Sequence, residues 1–317
     1  MKELKMRKEY TEISVKLPSN ENFNTWSKEL VKARLTSTVT IEGLIPFIQE
    51  NNLYQLNENM LVLYDFHENP ISGKYESVIL DKKDGIILCR KNSRQLVNHF
   101  LKHRLILGAV LQKRLQKELG FYYRHTISLG EIAYFSLRAH SERHTCWIGL
   151  HHMQTMQQCK KKVIFSCKGN NLIYNFEFDD YAPNLHKRLA EAITHNHVFG
   201  QMLVNYANSH GFHLKLCKCR RKSLVADQEY LYLTKIHNVL NLKDLAEAAI
   251  EEFHQNYGRH CADFLILKIG KLTTTTFFIV YREELNHFYN TSEEGVFFFY
   301  KKCSKGIKRV KGKRKQR

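Results

Sequence analysis

The sequence predicts an α+β protein: an antiparallel β core with flanking helices, plus a smaller C-terminal α+β unit and a basic tail. Turn-forming residues recur about every ten residues between positions 54 and 89, a spacing typical of antiparallel strands. Apolar residues recur with helical periodicity at 93–119 and 184–207, which predicts amphipathic helices beside those strands. A second series of strand and helix patterns follows Gly211.

The predicted strands of the main domain lie between recognisable turns. Asn57-Glu58-Asn59 is a turn-rich tripeptide with an apolar segment on each side. Lys168-Gly169-Asn170-Asn171 is a strong hairpin signal between two further strands. The predicted strands are 54–56, 60–64, 75–80, 86–89, 132–136, 146–150, 163–165 and 172–176.

Helices are predicted wherever apolar residues share one helical face. The predicted helices are 27–33, 41–50, 93–108, 184–207 and 241–257, with Ser93 as the N-cap of the third. Leu111, Leu115 and Leu119 recur every four residues and predict an apolar stripe. The side chains between them predict a basic face: Gln112, Lys113, Arg114, Gln116 and Lys117.

The charge of the chain points to a polyanionic partner. Lys and Arg total 49 against 31 Asp and Glu, a net charge of +18, with a pI near 9.5. Folding does not need such an excess, and self-repulsion makes it mildly unfavourable. Phosphate contacts compensate for it because each one releases a counterion. We therefore expect nucleic acid as the partner.

The basic residues are concentrated in two places. Between Lys82 and Glu118 the chain has ten Lys or Arg, and the only acids are Asp84 and Glu118. The tail, 301–317, has ten Lys or Arg and no acid. A solvated helix surface normally interleaves acids with bases, so the first segment is the better candidate for a specific contact. The tail is expected to add affinity that does not depend on sequence.

Four segments are predicted from these patterns. They are an N-terminal helical extension at 1–50, a domain at 51–207 that is expected to bind nucleic acid, an α+β unit of unknown role at 212–300 and the basic tail at 301–317. No stretch rich in Pro, Gly or Ser separates them, and the last of the four prolines is Pro183.

Other function classes have weaker support in the residues. The candidate zinc ligands are Cys217 and Cys219, His144 and Cys146 with His151 and His152, and His195 and His197. These three sets lack the spacing of structural zinc knuckles, so no metal and no cofactor are expected. Asp179-Asp180 and Glu251-Glu252 are not clustered as Mg²⁺ catalysis requires, and no nucleophile or phosphate-loop motif is present, so an enzyme is not expected. No apolar run approaches the ~20 residues of a membrane span, and the N-terminus lacks a secretory apolar core.

The order of landmarks from Tyr54 to about Ala207 resembles the competence transcription factor family, ComK. It begins with Tyr54-Gln-Leu-Asn57 before an apolar strand and continues with Gly73-Lys74 before Ser77-Val-Ile79. Its most specific part is an aromatic strand, a polar loop and then Cys146-Trp147-Ile148 with His151-His152 just beyond. The chain departs from the pattern at Ser136, where a proline is usual, and at Lys113, where a second glycine is usual. The similarity covers about half of the chain.

The resemblance implies a regulator that binds AT-rich promoter DNA as an oligomer, mainly along the minor groove, and activates DNA-uptake genes. It also implies a cytoplasmic, nucleoid-associated protein that is controlled by a MecA-type adaptor and Clp protease. Narrow A·T grooves attract Arg and Lys without unique base contacts, which suits a basic surface. An RNA- or ribosome-binding protein is the alternative, because its charge would be the same.

The candidate DNA contacts follow from the two basic segments. A small-residue turn allows backbone to approach a phosphate closely, and helical spacing places Lys113 and Lys117 one turn apart. The candidate contacts are Arg104, Gly108, Lys113, Arg114 and Lys117, with Lys311, Lys313, Arg314 and Lys315 in the tail. Trp147 is expected to be buried, with Cys146 and Ile148 facing the opposite side of their strand.

Overall fold

The architecture is described from a computed structural model of the chain. Its contacts divide the chain into two compact units, residues 1–249 and 250–317, and nearly all of the second lies outside the described residues. The described residues are 13–104, 108–121, 126–138, 144–159, 161–211, 223–226 and 243–251, with the backbone alone at 108 and 109.

Within these residues the strands form two sheets, and the fold is α+β as predicted. The strands are β1 Thr25–Trp26, β2 Ile48–Glu50, β3 Met60–Asp65, β4 Ser77–Asp81, β5 Gly85–Cys89, β6 Thr126–Ser128, β7 Ala133–Ser136, β8 Trp147–Gly149, β9 Thr155–Cys159, β10 Lys162–Gly169 and β11 Leu172–Phe178. The helices are α1 Lys28–Thr36, α2 Thr38–Leu44, α3 Ser93–Arg104, α4 Gly108–Glu118 and α5 Leu185–Ser209. Residues 243–251 are also helical, within the helix predicted at 241–257.

The larger sheet has seven strands in the order β2-β5-β4-β3-β8-β7-β6, and the smaller has four in the order β1-β11-β10-β9. Neighbours pair antiparallel except β1 with β11 and β2 with β5, which are parallel. The predicted hairpin joins β10 to β11 through Asn170 and Asn171, both with positive φ. Asn tolerates that conformation better than most residues, which is why the tight turn forms here.

Both faces of the seven-stranded sheet are buried. On one face, Val62, Tyr64 and Ile148 share an apolar cluster with Phe165 and Phe176 of the smaller sheet. On the other face, side chains of the sheet pack against α3: Leu63, Ile79, Ile87 and Trp147 contact the cluster of Leu96, Val97, Phe100 and Leu101. Because successive side chains on a strand alternate, Trp147 and Ile148 belong to different layers. The predicted burial of Trp147 is confirmed, since its side chain is 1% exposed.

The N-terminal segment 13–50 is part of this core. β1 adds to the smaller sheet beside β11, and β2 adds to the larger sheet beside β5. Leu17, Trp26 and Leu44 are each no more than 1% exposed. The structure therefore shows no packing boundary at residue 50, where the sequence predicted the end of an extension. Among the described residues 223–226, Leu224 is likewise buried, in the apolar cluster that contains Val62 and Phe165.

Three local expectations differ from the structure. In the predicted helix 41–50, α2 ends at Leu44, a turn of 3-10 helix follows, and the chain then extends as β2. Pairing with β5 outweighs the helical pattern there. The segment 54–56 is not a strand, although Tyr54 and Leu56 are buried. Strand β9 was not predicted because its sequence, TMQQC, has little apolar character. The helix predicted at 93–108 is described as far as Arg104, and residues 105–107 lie outside the described ranges.

A third apolar cluster joins α4 to α5 and to the helical residues 243–249. Leu111 and Leu115 of α4 pack there with Val198, Phe199 and Met202 of α5 and with Leu245 and Ala249. The apolar stripe predicted on α4 is therefore confirmed, because both leucines are no more than 1% exposed. None of the helices in the described ranges combines the length and the apolarity that a membrane span requires.

Candidate nucleic-acid interface

Helix α3 is held firmly at its N-terminus. The Asn92 side chain accepts a hydrogen bond from the Gln95 backbone N–H at 2.9 Å, and the Gln95 side chain accepts one from the Asn92 N–H at 3.1 Å. This reciprocal arrangement is a capping box, so the cap is Asn92 and not the predicted Ser93. The Ser93 N–H donates to Asp65 Oδ2 at 3.0 Å, which ties the helix to the end of β3.

The outer face of α3 carries polar side chains and no acid. Leu96, Val97 and Phe100 bury the inner face, and the opposite side points to solvent. The outward side chains are Arg94, Gln95, Asn98, Lys102, His103 and Arg104, with His99 half-buried among them. Lys102, His103 and Arg104 lie in the last turn, where positive charge interacts favourably with the helix dipole.

Two histidines of this face lie one turn apart. The rings of His99 and His103 have centroids 4.4 Å apart. Partial burial and the neighbouring His103 and Lys91 lower the pKa of His99. At neutral pH this side chain is therefore neutral, with one nitrogen that donates and one that accepts.

Helix α4 offers less basic surface than its sequence predicts. Gln112 and Gln116, two of the five residues of the expected basic face, are buried. Arg114 is half-buried, and its Nη2 lies 2.5 Å from Glu118 Oε1 in an i,i+4 ion pair. Lys113 and Lys117 are exposed and one turn apart, as predicted. The Arg114 guanidinium thus has a carboxylate partner within its own helix, and its contact with DNA stays a prediction.

The side chain of Gln112, on α4, forms hydrogen bonds with the edge strand of the larger sheet. Its Nε2 donates to the Ser128 carbonyl at 2.9 Å, and its Oε1 accepts from the Ser128 N–H at 3.0 Å. Asn196 of α5 makes the equivalent pair of bonds to the backbone of Gly130, with 3.2 Å between the Gly130 nitrogen and Asn196 Oδ1. The amides of Gln112 and Asn196 thus supply hydrogen-bond partners for the backbone of Ser128 and Gly130. Without them these buried backbone groups would lack these partners.

The candidate DNA contacts named from the sequence separate into four groups. Arg104, Lys113 and Lys117 are exposed, while Arg114 is paired within its helix. Gly108 is the first residue of α4 and not part of a turn beside it. The tail residues Lys311, Lys313, Arg314 and Lys315 lie outside the described residues. Arg94, Asn98 and Lys102 of α3 are also exposed and were not among these candidates, although they follow one another at i, i+4 spacing on a predicted helix.

The segment Cys146-Trp147-Ile148 is structural in its described contacts. Trp147 and Ile148 are buried on opposite faces of the larger sheet. Cys146 Sγ lies 3.5 Å from the Asp65 backbone nitrogen, and burial raises the pKa of its thiol to about 12. The thiol therefore stays protonated at neutral pH, and the segment supports the scaffold beneath α3.

The polar groups that resemble catalytic arrangements are engaged within the protein. Ser128 Oγ lies 2.7 Å from His195 Nδ1, but the serine is fully buried and the histidine 4% exposed. The adjacent cavity has a volume of about 10 Å³, roughly the space of one water molecule. The carboxylate of Asp180 is paired with Arg138.

Two of the candidate zinc ligands, His151 and His152, contact the same backbone carbonyl. A ring nitrogen of His151 lies 3.0 Å from the Glu58 carbonyl oxygen, and one of His152 lies 2.7 Å from the same oxygen. Across the described ranges, no group of three or more His, Cys, Asp and Glu side chains is arranged to hold a metal ion. Cys217 and Cys219 lie outside those ranges.

Comparisons with protein-family models, curated proteins and solved structures find no match to this chain. The resemblance to the ComK family therefore depends on the residues quoted above.

Proposed function

We propose that this chain is a DNA-binding transcription regulator that recognises AT-rich promoter DNA. The observation that supports it best is the surface of α3 and α4. No Asp or Glu occurs from Gly85 to Lys117, and the exposed side chains there include Arg94, Lys102, Arg104 and Lys113. The acids that flank this stretch are Asp84 and Glu118, and Glu118 is paired with Arg114.

This surface has no evident role in stability. Exposed charges contribute little to the free energy of unfolding, and like charges on one surface repel. A polyanion accounts for the arrangement, because Lys and Arg contacts to phosphates release condensed counterions. Helix α3 packs against the larger sheet and α4 packs against α5. The cations of each helix therefore keep a fixed spacing that a duplex backbone could match.

The resemblance to the ComK family extends the proposal. It supports activation of competence genes for DNA uptake, binding as a homo-oligomer and a cytoplasmic, nucleoid-associated location. It also supports control by a MecA-type adaptor that delivers the protein to Clp protease. These statements are carried by the order of landmarks between Tyr54 and Ala207.

The proposal is tested by measuring binding to labelled duplexes by fluorescence anisotropy at several salt concentrations. The wild-type chain should prefer an AT-rich duplex to a GC-rich duplex of equal length and to a structured RNA. Its affinity should fall log-linearly between roughly 50 and 200 mM salt, with a slope of about −0.9 per phosphate contacted. The double variant Arg104→Ala, Lys113→Ala should reduce the magnitude of that slope by about 1.8 if each side chain contacts one phosphate.

A matched variant controls for the loss of net charge. Lys161 and Lys187 are exposed and lie outside α3 and α4, so Lys161→Ala, Lys187→Ala removes the same charge without removing proposed contacts. This variant should keep the wild-type slope. An affinity of the wild type that does not change with salt contradicts the proposal, and stronger binding to structured RNA favours the alternative of an RNA-binding protein.

A further inference from the structure

The outer face of α3 carries two imidazoles that lie against each other. The ring centroids of His99 and His103 are 4.4 Å apart, and the ring planes are tilted by 40°. His103 is exposed, and His99 is half-buried beside it. Histidine is the side chain whose ordinary pKa, about 6.5, lies within the physiological range of pH. The charge of this part of the surface therefore depends on pH, whereas the charges of Lys102 and Arg104 do not.

The neighbours that act on the His99 ring are basic. Lys102, His103 and Arg104 lie in the last turn of α3, and Lys91 lies just before the helix begins. Partial burial and these basic neighbours together lower the pKa of His99, because each disfavours a positive charge on its ring. In the free protein the His99 ring is therefore neutral at pH 7.

The larger sheet presents an apolar cluster to the inner face of α3. The titratable members of that cluster are Tyr54, Cys89 and Tyr134, and burial raises their pKa values, so they are neutral near pH 7. Asp65 of β3 bonds to the first residue of the helix, which lies about 9 Å along the axis from His99. These groups of the sheet therefore do not pair with the two imidazoles.

Helix α4, which contacts α3, adds further positive charge. Its exposed side chains include Lys113 and Lys117, and its only acid forms an ion pair within the helix. Two imidazolium rings in contact also repel each other, so a second proton on the pair is unfavourable in the free protein. An external anion would remove this penalty.

We propose that DNA binding by the α3 surface is coupled to proton uptake at His99 and His103, so that the protein binds DNA more tightly as the pH falls. This inference rests on the proposed function and names a regulation of the same surface. A phosphate beside the two rings favours the charged imidazolium and accepts a charge-assisted hydrogen bond from it. The complex then holds protons that the free protein does not hold at the same pH.

The direction of the pH dependence follows from these two states of the pair. In the free protein the pKa of His99 lies below its ordinary value, and an adjacent phosphate in the complex raises it. Between these two values the complex binds more protons than the free protein, so the affinity rises as the pH is lowered from about 7.5 to about 5.5. Lysine and arginine keep their charge throughout this window and contribute no such dependence.

The test measures binding of the full chain to an AT-rich duplex by fluorescence anisotropy at pH 7.5, 6.5 and 5.5 and at constant ionic strength. EDTA is present because two imidazoles one helical turn apart also chelate divalent metals. The wild type should bind at least about fivefold more tightly at pH 5.5 than at pH 7.5. The double variant His99→Gln, His103→Gln should lose this increase, because an amide does not titrate.

Two further variants separate this pair from histidine charge in general. His186→Gln, His210→Gln removes two exposed histidines outside α3 and α4 and should keep the wild-type increase. His103→Lys places a permanent charge at an exposed position, so it should bind more tightly than the wild type at pH 7.5 and show a smaller increase in acid. Circular dichroism at each pH should show every variant folded. Calorimetric titration in buffers of different ionisation enthalpy should show that the wild type takes up more protons on binding than the double glutamine variant.

The outcomes distinguish the coupling from the proposed function. If the wild type prefers the AT-rich duplex with an affinity that depends on salt but not on pH, the coupling is overturned and the proposed function stands. An increase that persists in His99→Gln, His103→Gln also overturns it, because other groups then take up the protons. An equal loss of the increase in His186→Gln, His210→Gln overturns the assignment to α3 as well. If the wild type does not bind the AT-rich duplex at any pH or salt concentration, the proposed function fails and the coupling fails with it.

Discussion

His195 shows how a residue with a catalytic appearance can be a structural one. Its Nε2 lies 3.2 Å from the Gln112 carbonyl oxygen, so this nitrogen carries the proton, and its Nδ1 accepts from the Ser128 hydroxyl at 2.7 Å. Burial lowers the pKa of His195 to about 4, because the interior disfavours the charged ring. The fold therefore holds the neutral imidazole.

The pKa of His195 predicts a loss of stability in mild acid. In the unfolded chain a histidine titrates near pH 6.5, so between about pH 6.5 and pH 4 the unfolded state binds more protons and the free energy of unfolding falls as the pH is lowered. His195→Gln should remove this contribution, which is on the order of 3 kcal/mol across the window. Urea unfolding of the wild type and the variant at pH 7, 5.5 and 4 measures the difference.

The comparison between variants isolates this residue. Desolvation also lowers the pKa of His151. Its protonation therefore lowers the free energy of unfolding in the same direction in every variant, and the difference between variants cancels it. His186→Gln alters an exposed histidine on α5 and should retain the wild-type dependence on pH. An unchanged dependence in His195→Gln would show that the imidazole is not held neutral by the fold.

At the scale of elements, α4 is fastened to the sheet by a side-chain amide. The Gln112 amide makes two hydrogen bonds to the buried backbone of Ser128, next to the point where β6 turns towards β7. Gly130 in that turn has φ of +92°, and a Cβ there would lie 3.2 Å from the Gly200 Cα of α5. Glycine at 130 therefore allows the turn to approach α5. The side-chain amides of Gln112 and Asn196 form hydrogen bonds with the backbone of Ser128 and Gly130.

Gln112→Ala is predicted to destabilise the protein far more than an exposed substitution. It leaves the Ser128 N–H and C=O without these partners in a buried position, where each unsatisfied group costs about 1–3 kcal/mol. We expect a decrease in the free energy of unfolding of about 2–5 kcal/mol in urea titrations, with faster amide exchange at Ser128. Gln201→Ala, at an exposed position of α5, should change the free energy of unfolding by less than about 0.5 kcal/mol. Equal effects of the two substitutions would contradict the role of the Gln112 amide.

At the scale of the molecule, the N-terminal residues act as part of the core. Arg34 of α1 is buried, with Nη1 donating to the Thr25 carbonyl and Nη2 to the Asn22 carbonyl, both at 2.7 Å. Its guanidinium lies 4.6 Å from the Trp26 ring centroid, and Trp26 itself is 1% exposed. Arg34 therefore stabilises the fold and is not part of a basic surface. The total charge of the chain does not distinguish these two roles.

Removal of residues 1–50 is predicted to abolish cooperative folding. The truncation would delete one strand from each sheet and expose apolar surface that Leu17, Trp26 and Leu44 cover. Burying a large side chain contributes about 1.5–3 kcal/mol, and total stability is about 5–15 kcal/mol. Fluorescence and circular dichroism of 51–317 in urea should show no shared unfolding transition. A cooperative transition near the wild-type midpoint would show that residues 1–50 are an independent extension.

The sequence by itself determined what depends on local patterns. Alternating apolar residues and turn signals gave β4, β5, β7, β8, β10 and β11. The spacing of Leu111 and Leu115 gave the buried side of α4. The strand position of Trp147 gave its burial on the side opposite Ile148. These features follow from the periodicities of 3.6 and 2.0, which act over a few residues.

Only the tertiary structure decided what depends on distant partners. The last three residues of the predicted helix 41–50 form strand β2 instead, because β5 offers them hydrogen bonds. The polar sequence of β9 forms a strand because β10 pairs with it. On the basic helices, sequence could not distinguish Gln112, whose amide is used by Ser128, from Asn98, whose amide faces solvent. Helical spacing places both on polar positions. Which of them is buried depends on where β6 and α5 pack, and that is settled only when the chain has folded.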